Sequence, residues 1–587
     1  MSELADRLDK LNPFKKGKAK SRDEDSVGDT MDAHAMAGGG HAFHAAVARQ
    51  HEHRVSNALK RFLVHEKILA EHDAAIDSDK HTAALAALLD RPHTRVPPAA
   101  VDRSHPLPDY FISSSHNTYL MAHQLYGASS VDAYGTALRA GSRCVEIDAW
   151  DNDDDPEEPK VTHGFTLVSH VPFRKVCETL RDVMDTEIDE ANKAQQPLPA
   201  PILISLENHC NGRGQKRLVE IMKEVLGHRL LTEPVQKDNE GIDYDPTSHV
   251  KLGDLSGKIA VIVEYHLPDE AQDSDSSSDS SDSSSGSDSD EGDKAARKAY
   301  KDKKKTAASS VIVPELAAVG VYAQSVKPGN NSWFDPGELT NGPHHHLINV
   351  SESGLSTIMP RENTKIAAHN SRHLMRVYPK GTRISSGNLK QVPFWGVGAQ
   401  ICALNWQRFD ASMQINEAMF DGTSGFVLKP AALRHGGSGN PANGKRKRLR
   451  LRVAGATDVP RPEKAKDFKP YLTCVLVQPL DLENDPPKRK TKPYKQHRLA
   501  FLHHGEDSPP EDPVWDDVLE WDYEDSDLVF QRMLIKSDES FAGTPILGVS
   551  AVRLAYLVPG WSFITMLDLK GIETKCSLLV KFEIDDV

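Results

Sequence analysis

The pair His116-Asn117 follows the apolar run Tyr110-Phe111-Ile112 in YFISSSHNTYL, setting an imidazole beside a carboxamide where a strand would end. A turn accounts for an asparagine there, and a serine before it can cap a helix. Three further segments end in a similar way. Glu146 and Asp148 close RCVEIDAW, His163-Gly164 follows a short strand, and Glu207-Asn208 closes PILISLEN. The i, i+2 spacing of Glu146 and Asp148 puts both carboxylates on one face of a strand. Three carboxylates gathered at one end of a sheet would repel one another without a cation. Asn117, Glu146, Asp148 and Glu207 form an all-oxygen set that suits a hard metal, and calcium in particular once substrate and water oxygens are added. His116 would stand beside the metal as a proton donor.

These residues converge only if the strands carrying them are parallel. From 105 to 266 short apolar strands alternate with amphipathic helices: YFISSS, a helix around 131–140, RCVEIDAW, a helix around 173–184, PILISLEN, a helix over 215–226, and KIAVIVEY. This alternation predicts a parallel sheet wrapped by helices, a (β/α)8 barrel of the TIM type, in which loops at the C-terminal strand ends surround a common mouth. A Ser/Asp tract at 272–293 interrupts the pattern and is expected to be disordered, and the basic run Lys301–Lys305 follows. The pattern resumes with a strand near 347–350, a helix near 362–377, the strand AQICALNW and a C-terminal GFVLKP.

After a Gly/Asn/Pro linker the period changes to two in KRLRLRVAGATDV, PYLTCVLVQP, HRLAFLHH, VLEWDYE, LVFQRMLIKS and SLLVKFEID, which predicts an antiparallel β-sandwich. The expected organisation is a disordered 1–45, a helical 46–104, a first half-barrel over 105–267, a linker over 268–309, a second half-barrel over 310–434, a linker over 435–445, and the sandwich over 446–587.

Composition narrows the function classes. A chain of 587 residues with 38% hydrophobic residues and a mean hydropathy of −0.50 implies several soluble domains with unfolded segments. No run reaches the ~18 apolar residues that a membrane span needs. The first residues, MSELADRLDKLNPFKKGKAKSRDEDS, lack a signal-peptide core. The six cysteines (Cys144, Cys177, Cys210, Cys402, Cys474, Cys576) form no CxxC pair, so neither a disulfide framework nor a zinc site is expected, and a reducing, intracellular setting follows. The net charge of −14 argues against general nucleic-acid binding.

The motifs SSSHNTYL, CVEIDAWD, HGFT and SLENHC resemble the X half of the eukaryotic phosphoinositide-specific phospholipases C, and RVYPKGTRISSGN, GAQICALNWQ and GFVLKPAALR resemble its Y half. The resemblance runs over roughly 104–434, with a looser match to a C2-type sandwich over 446–587. It implies calcium-dependent hydrolysis of a phosphoinositide to diacylglycerol and an inositol phosphate by a monomeric cytoplasmic protein that works at the membrane periphery. The lipid's own 2-hydroxyl would attack the 1-phosphate, and water would then open the cyclic phosphodiester. By carry-over Glu146 is the general base as well as a ligand. His116 and His163 stabilise the pentacovalent state, and one of them protonates the leaving diacylglycerol. Arg376 holds a ring phosphate, Tyr378 stacks on the inositol ring, and Asn349, with Ser351 nearby, takes the place of a phosphate-binding serine. Leu125, Phe165 and Leu167 would form the membrane rim.

The chain also departs from the family's delta type. About a hundred residues precede the barrel, too few for a PH domain and four EF-hands. DAAIDSDKHTAAL lacks the DxDxDG spacing and the closing glutamate, so calcium binding is not expected there. Recruitment would rest on the sandwich, the rim and the basic KKGKAKSR. A rim tryptophan is Thr382 here, and two phosphate-gripping lysines are Ile262 and Glu264, although His266 or the Lys301–Lys305 run could compensate. In the sandwich Asp467, Asp538 and Glu539 are the only candidate calcium ligands, and calcium binding there is not expected. The Ser/Asp tract would be repelled by an anionic leaflet and could cover the mouth. A non-catalytic scaffold is the main alternative, but it would be expected to lose a catalytic histidine or a ligand, and all are present. A glycerophosphodiester phosphodiesterase shares a metal-dependent barrel but lacks the split and the sandwich.

Overall fold

In the computed structural model the described residues are 53–78, 80–120, 129–162, 170–235, 249–265, 311–326, 330–335, 337–339, 342–380, 387–463, 465, 468–479, 486–495, 508–538 and 546–587. Eight parallel strands follow one another around a closed barrel: β1 (Tyr110–Ser115), β2 (Cys144–Trp150), β3 (Ile202–His209), β4 (Ile259–Tyr265), β5 (Gln324–Val326), β6 (His346–Ser351), β7 (Leu374–Tyr378) and β8 (Ile401–Leu404). β8 pairs back onto β1, and Ser114 beside Cys144 links β1 to β2. Side chains alternate along each strand, as a pleated backbone requires. Cys144 packs in the barrel interior with Ile112, Leu203, Ala260, Leu347, Leu374 and Ile401. Val145 and Ile147 face outward onto the helices Phe173–Ala194 and Gly212–Leu226. Asn211 starts the second of these helices by accepting the N–H groups of Arg213 and Gly214.

Two barrel strands differ from expectation. The helix placed near 362–377 instead runs Glu352–Asn370, and Leu374–Tyr378 is β7. Leu374 points into the barrel while Met375 and Val377 point to the helices, a period of two that the helical reading misjudged. The helix ends where Gln400 Nε2 and Lys429 Nζ both donate to the Asn370 carbonyl, at 2.6 and 3.0 Å. β5 has three residues, too short for a pattern to show. The short strand Lys160–Val161 pairs antiparallel with β2, and the segment Phe426–Leu428 pairs antiparallel with β1, both outside the ring of eight.

At the N-terminal ends of β4 to β7 several histidines meet. His346 stacks on His373 at 3.8 Å, and its Nε2 lies 2.9 Å from His369 Nε2. His249 and His345 pack alongside, 4.5 Å apart.

The C-terminal part is an eight-stranded antiparallel sheet folded around its own core: β9 (Ala442–Thr457), β10 (Pro470–Val477), β11 (Lys488–Lys490), β12 (Val514–Ser526), β13 (Phe530–Ser537), β14 (Ile546–Arg553), β15 (Gly560–Leu567) and β16 (Glu573–Asp586). Its order is β11-β10-β13-β14-β15-β16-β9-β12, in keeping with a C2-type sandwich. The expected strand HRLAFLHH lies outside the described residues, and the sheet uses β11, β14 and β15, which the sequence pattern did not suggest. Phe530, Leu534, Val549 and Leu567 join the barrel-side core of Trp395, Trp406 and Phe420. Arg532, 1% exposed, donates through Nε to Gln414 Oε1 at 2.7 Å across that seam.

The N-terminal helices Asn57–His65 and Ala83–Leu89 pack on the sandwich through Leu59, Phe62, Leu85 and Trp561. Arg452 lies over the rings of Phe62 and Trp561, at 5.5 and 5.4 Å. In the loop read as a degenerate EF-hand, the buried Lys60 ammonium donates to the carbonyls of Ala75 and Ser78 at 3.1 and 2.6 Å. His163, Leu125, Phe165, Leu167, Thr382, His266, Asp467, Glu539, the Ser/Asp tract, the Lys301–Lys305 run and residues 1–45 lie outside the described residues.

Candidate active site

The strand register stacks the inward side chains in layers. Cys144, Leu203 and Ala260 lie side by side; Glu146, Ser205 and Ile262 come next; Asp148 and Glu207 sit above them. Across the barrel, Asn349 neighbours Arg376 and Ser351 neighbours Tyr378. Polarity therefore rises toward the C-terminal strand ends, the end where the barrel's loops converge.

Glu146, Asp148 and Glu207 each offer an oxygen within 4.8 Å of the others. Glu146 and Asp148 are buried and Glu207 is exposed. Burial first, then Glu207 and Glu146, pushes the Asp148 carboxyl well above the ordinary carboxylate range. The Tyr119 hydroxyl donates to Asp148 Oδ2, whereas buried Asp148 Oδ1 has no hydrogen-bond partner among the described residues. That orphaned oxygen, inside a crowd of like charges, is the position a cation would satisfy.

Asn117 takes φ +45°, in the left-handed region that asparagine tolerates better than most residues, so the turn suggested by the sequence is present. Its backbone N–H donates to Glu146 Oε2 at 2.7 Å. The one Tyr119 proton is committed to Asp148, leaving Asn117 Oδ1 3.2 Å from the phenol oxygen and buried Nδ2 without an acceptor. Rotating the carboxamide by half a turn lets Nδ2 donate to Tyr119 and presents Oδ1 where Nδ2 had been. Asn117 then supplies a fourth oxygen, and the donor set fits a hard cation such as calcium.

His116 donates its backbone N–H to the Leu404 carbonyl at 2.7 Å. Its ring Nδ1 meets Asn405 Oδ1 at 2.9 Å, and Nε2 lies 3.9 Å from Glu146 Oε2. Arg376, 3% exposed, reaches Glu146 Oε1 at 2.5 Å and Asn349 Oδ1 at 3.1 Å. Burial is the largest influence and works against its charge, but Glu146, with Cys144, Glu207 and Tyr378 added, outweighs it, so the guanidinium pKa stands above its usual value. Its carbon lies 5.9 Å from the Tyr378 ring centre.

The structure thus brings His116, Asn117, Glu146, Asp148, Glu207, Arg376, Asn349 and Tyr378 to one end of the barrel. Ser351 also lies there, but its Oγ caps the helix Glu352–Asn370 by accepting the Gly354 N–H at 3.1 Å. Ile262, 3% exposed, belongs to the apolar interior, and Glu264 is half-buried one inward position higher. Sequence reading passed over His209, whose Nε2 lies 3.0 Å from Glu207 Oε1 and whose ring stacks on Trp150 at 4.1 Å. Its i+2 spacing from Glu207 on the same strand was the available signal.

Residues 103–265 match the family described as phosphatidylinositol-specific phospholipase C, X domain, and residues 316–432 match its Y domain. The chain is 30% identical over 499 residues to the 1-phosphatidylinositol 4,5-bisphosphate phosphodiesterase delta-1 of Rattus norvegicus, covering 83% of this chain and 61% of that one. It is 30% identical over 524 residues to the 1-phosphatidylinositol 4,5-bisphosphate phosphodiesterase of Dictyostelium discoideum, covering 82% and 59%. The chain therefore spans about three fifths of the length of these relatives. The crystal structure of PLC21 from L. pealei superposes with a TM-score of 0.66 at 23% identity, over 100% of this chain and 68% of that one. This last likeness concerns the fold alone: barrel and sandwich in one chain. With X and Y halves matched in order on the two sides of one closed barrel, and the acidic cluster at the mouth of the X half, the chain carries both the X and the Y domain of phosphatidylinositol-specific phospholipase C.

Proposed function

We propose that the protein is a calcium-dependent phosphoinositide phospholipase C, cleaving phosphatidylinositol 4,5-bisphosphate and related lipids to diacylglycerol and inositol phosphates through a cyclic phosphodiester, as a peripheral membrane enzyme. The observation that carries the reading is the group Glu146, Asp148 and Glu207 with the orphaned Asp148 Oδ1, set beside His116 and Arg376. Asn117, Glu146, Asp148 and Glu207 would hold the calcium. When bound, it acidifies the attacking hydroxyl and neutralises charge on the phosphorane.

The chain's own residues do the rest. Glu146, held by Arg376 and by the Asn117 N–H, accepts the proton of the inositol 2-hydroxyl as that oxygen attacks the 1-phosphate. The P–O bond to glycerol breaks, and His116 Nε2 supplies the proton to the departing oxygen. His163 is assigned the companion stabilising role on the strength of its HGFT motif. Arg376 and Tyr378 orient the ring, with Asn349 at the rim.

Turnover of phosphoinositide vesicles by the purified protein, with calcium and with chelator, tests the reading. Glu207→Gln and Asp148→Asn should each lower activity at least ~100-fold and weaken calcium binding while leaving the melting temperature in chelator close to that of the wild type. Full activity in chelator, or in either variant, would remove calcium from the mechanism.

A further inference from the structure

Asn405 lies just past β8, 0% exposed, and its oxygen faces the ring of His116. Its amide orientation is set from the other side. Nδ2 donates to the Gly387 carbonyl at 3.2 Å, so the atom 2.9 Å from His116 Nδ1 is the oxygen, an acceptor only. Reversing the amide would set a carbonyl against a carbonyl at Gly387 and lose that bond.

Asn405 is in turn clamped. Asn388, 5% exposed, accepts the Asn405 N–H through Oδ1 at 2.5 Å and donates Nδ2 to the Asn405 carbonyl at 3.3 Å. Asp410, 2% exposed, accepts from Asn388 N and Nδ2, both at 3.0 Å, and caps the helix Ala411–Phe420 through Ser412 N and Met413 N. Gln414 in the first turns of that helix accepts from Arg532 of the sandwich. The support behind the imidazole is therefore buried, hydrogen-bonded throughout and anchored to a rigid element.

We infer that Asn405 is a positioning residue that holds His116 as its Nδ1–H tautomer, leaving Nε2 as the atom that exchanges a proton with substrate. This rests on the reading of His116 as a proton-transfer group given above. An acceptor-only partner takes the Nδ1 proton in both the neutral and the charged ring, so only Nε2 changes state. When the glycerol oxygen leaves phosphorus, the imidazolium gives it the Nε2 proton and becomes neutral, its remaining Nδ1 proton still hydrogen-bonded to Asn405 Oδ1. Without that acceptor the ring can turn over or carry its neutral proton on Nε2, and the productive form becomes a minority. The wrong tautomer is costly elsewhere for the same reason.

The test is the 15N spectrum of the histidine-labelled full-length protein at a pH where His116 is neutral, its signals assigned by their loss in His116→Ala. Wild type should show the Nδ1–H pattern. Asn405→Asp keeps an acceptor at the same place and should keep that pattern. Asn405→Leu should shift His116 toward Nε2–H and lower kcat at least ~100-fold with KM little changed. A wild-type His116 protonated on Nε2, or an Asn405→Leu enzyme with wild-type kcat, overturns the inference. Should Asn405→Leu fail to fold, the wild-type and Asn405→Asp spectra decide it alone. An Nδ1–H signal in a protein that cleaves no phosphoinositide would instead remove the proposed function while leaving the contact intact.

Discussion

At the scale of single residues, the proposed activity makes lipid selectivity depend on two positions of β4. Ile262 sits in the interior cluster at 3% exposure and offers no charge, and Glu264 is half-buried one inward position nearer the mouth. Where the resemblance leads one to expect lysines, this wall presents a hydrocarbon and a carboxylate. A lost charge-assisted hydrogen bond costs about 1.5–3 kcal/mol, and a carboxylate near a phosphate adds repulsion. Specificity constants for phosphatidylinositol, its 4-phosphate and its 4,5-bisphosphate at equal surface density should lie close together. A hundredfold preference for the bisphosphate would assign the grip to other residues. The acidic residues of the mouth could be read from the sequence because strand ends and i, i+2 spacing are local. The Arg376–Glu146 pair could not, because 230 residues separate partners that only barrel closure brings together.

At the scale of elements, the histidines at the N-terminal barrel end make stability depend on acid. Burial is the first cause of lowering in each, taking His346 to about 4, His369 to about 3 and His373 to about 2. Neighbouring histidines, His344 and His249 among them, and Lys429 beside His369 add to it. Groups with depressed histidine pKa values bind more protons unfolded than folded. Their stabilisation is therefore full above the unfolded value of ~6.5 and is lost as pH falls from there toward 4 and below. Melting temperature should drop by several degrees between pH 7 and pH 4.5, and His373→Phe, which keeps the stack, should flatten that slope. An unchanged slope would place the acid sensitivity elsewhere. Element reading from sequence worked where periods were long: the helix Phe173–Ala194 and strands β1 to β4 carry clear patterns. It failed at β7, where a strand follows a Pro-kinked helix after three residues, and at β5, three residues long.

At the scale of the whole molecule, barrel and sandwich share a core instead of meeting through a polar linker. Phe530 and Val549 pack with Trp395, and buried Arg532 is satisfied from the barrel side by Gln414. Calorimetry should show one cooperative transition for the two parts. Arg532→Ala strands the buried Gln414 oxygen and should cost about 1–3 kcal/mol, lowering that transition or splitting it. Two separate transitions in the wild type would show that the seam couples little. Neither side of this contact is visible in the sequence, since each reads as an ordinary amphipathic segment of its own domain.

The Lys60 ammonium in the loop Ala75–Ser78 is covalently part of the chain, so no dissociation constant governs its seat. A loop that closes on a free ion is a sensor, set by the ion's concentration; one that closes on a side chain is a rivet. Calcium transients would leave this joint untouched, and the N-terminal support beneath the sandwich would stay assembled in chelator and in saturating calcium alike. A calcium response through this loop is therefore not expected.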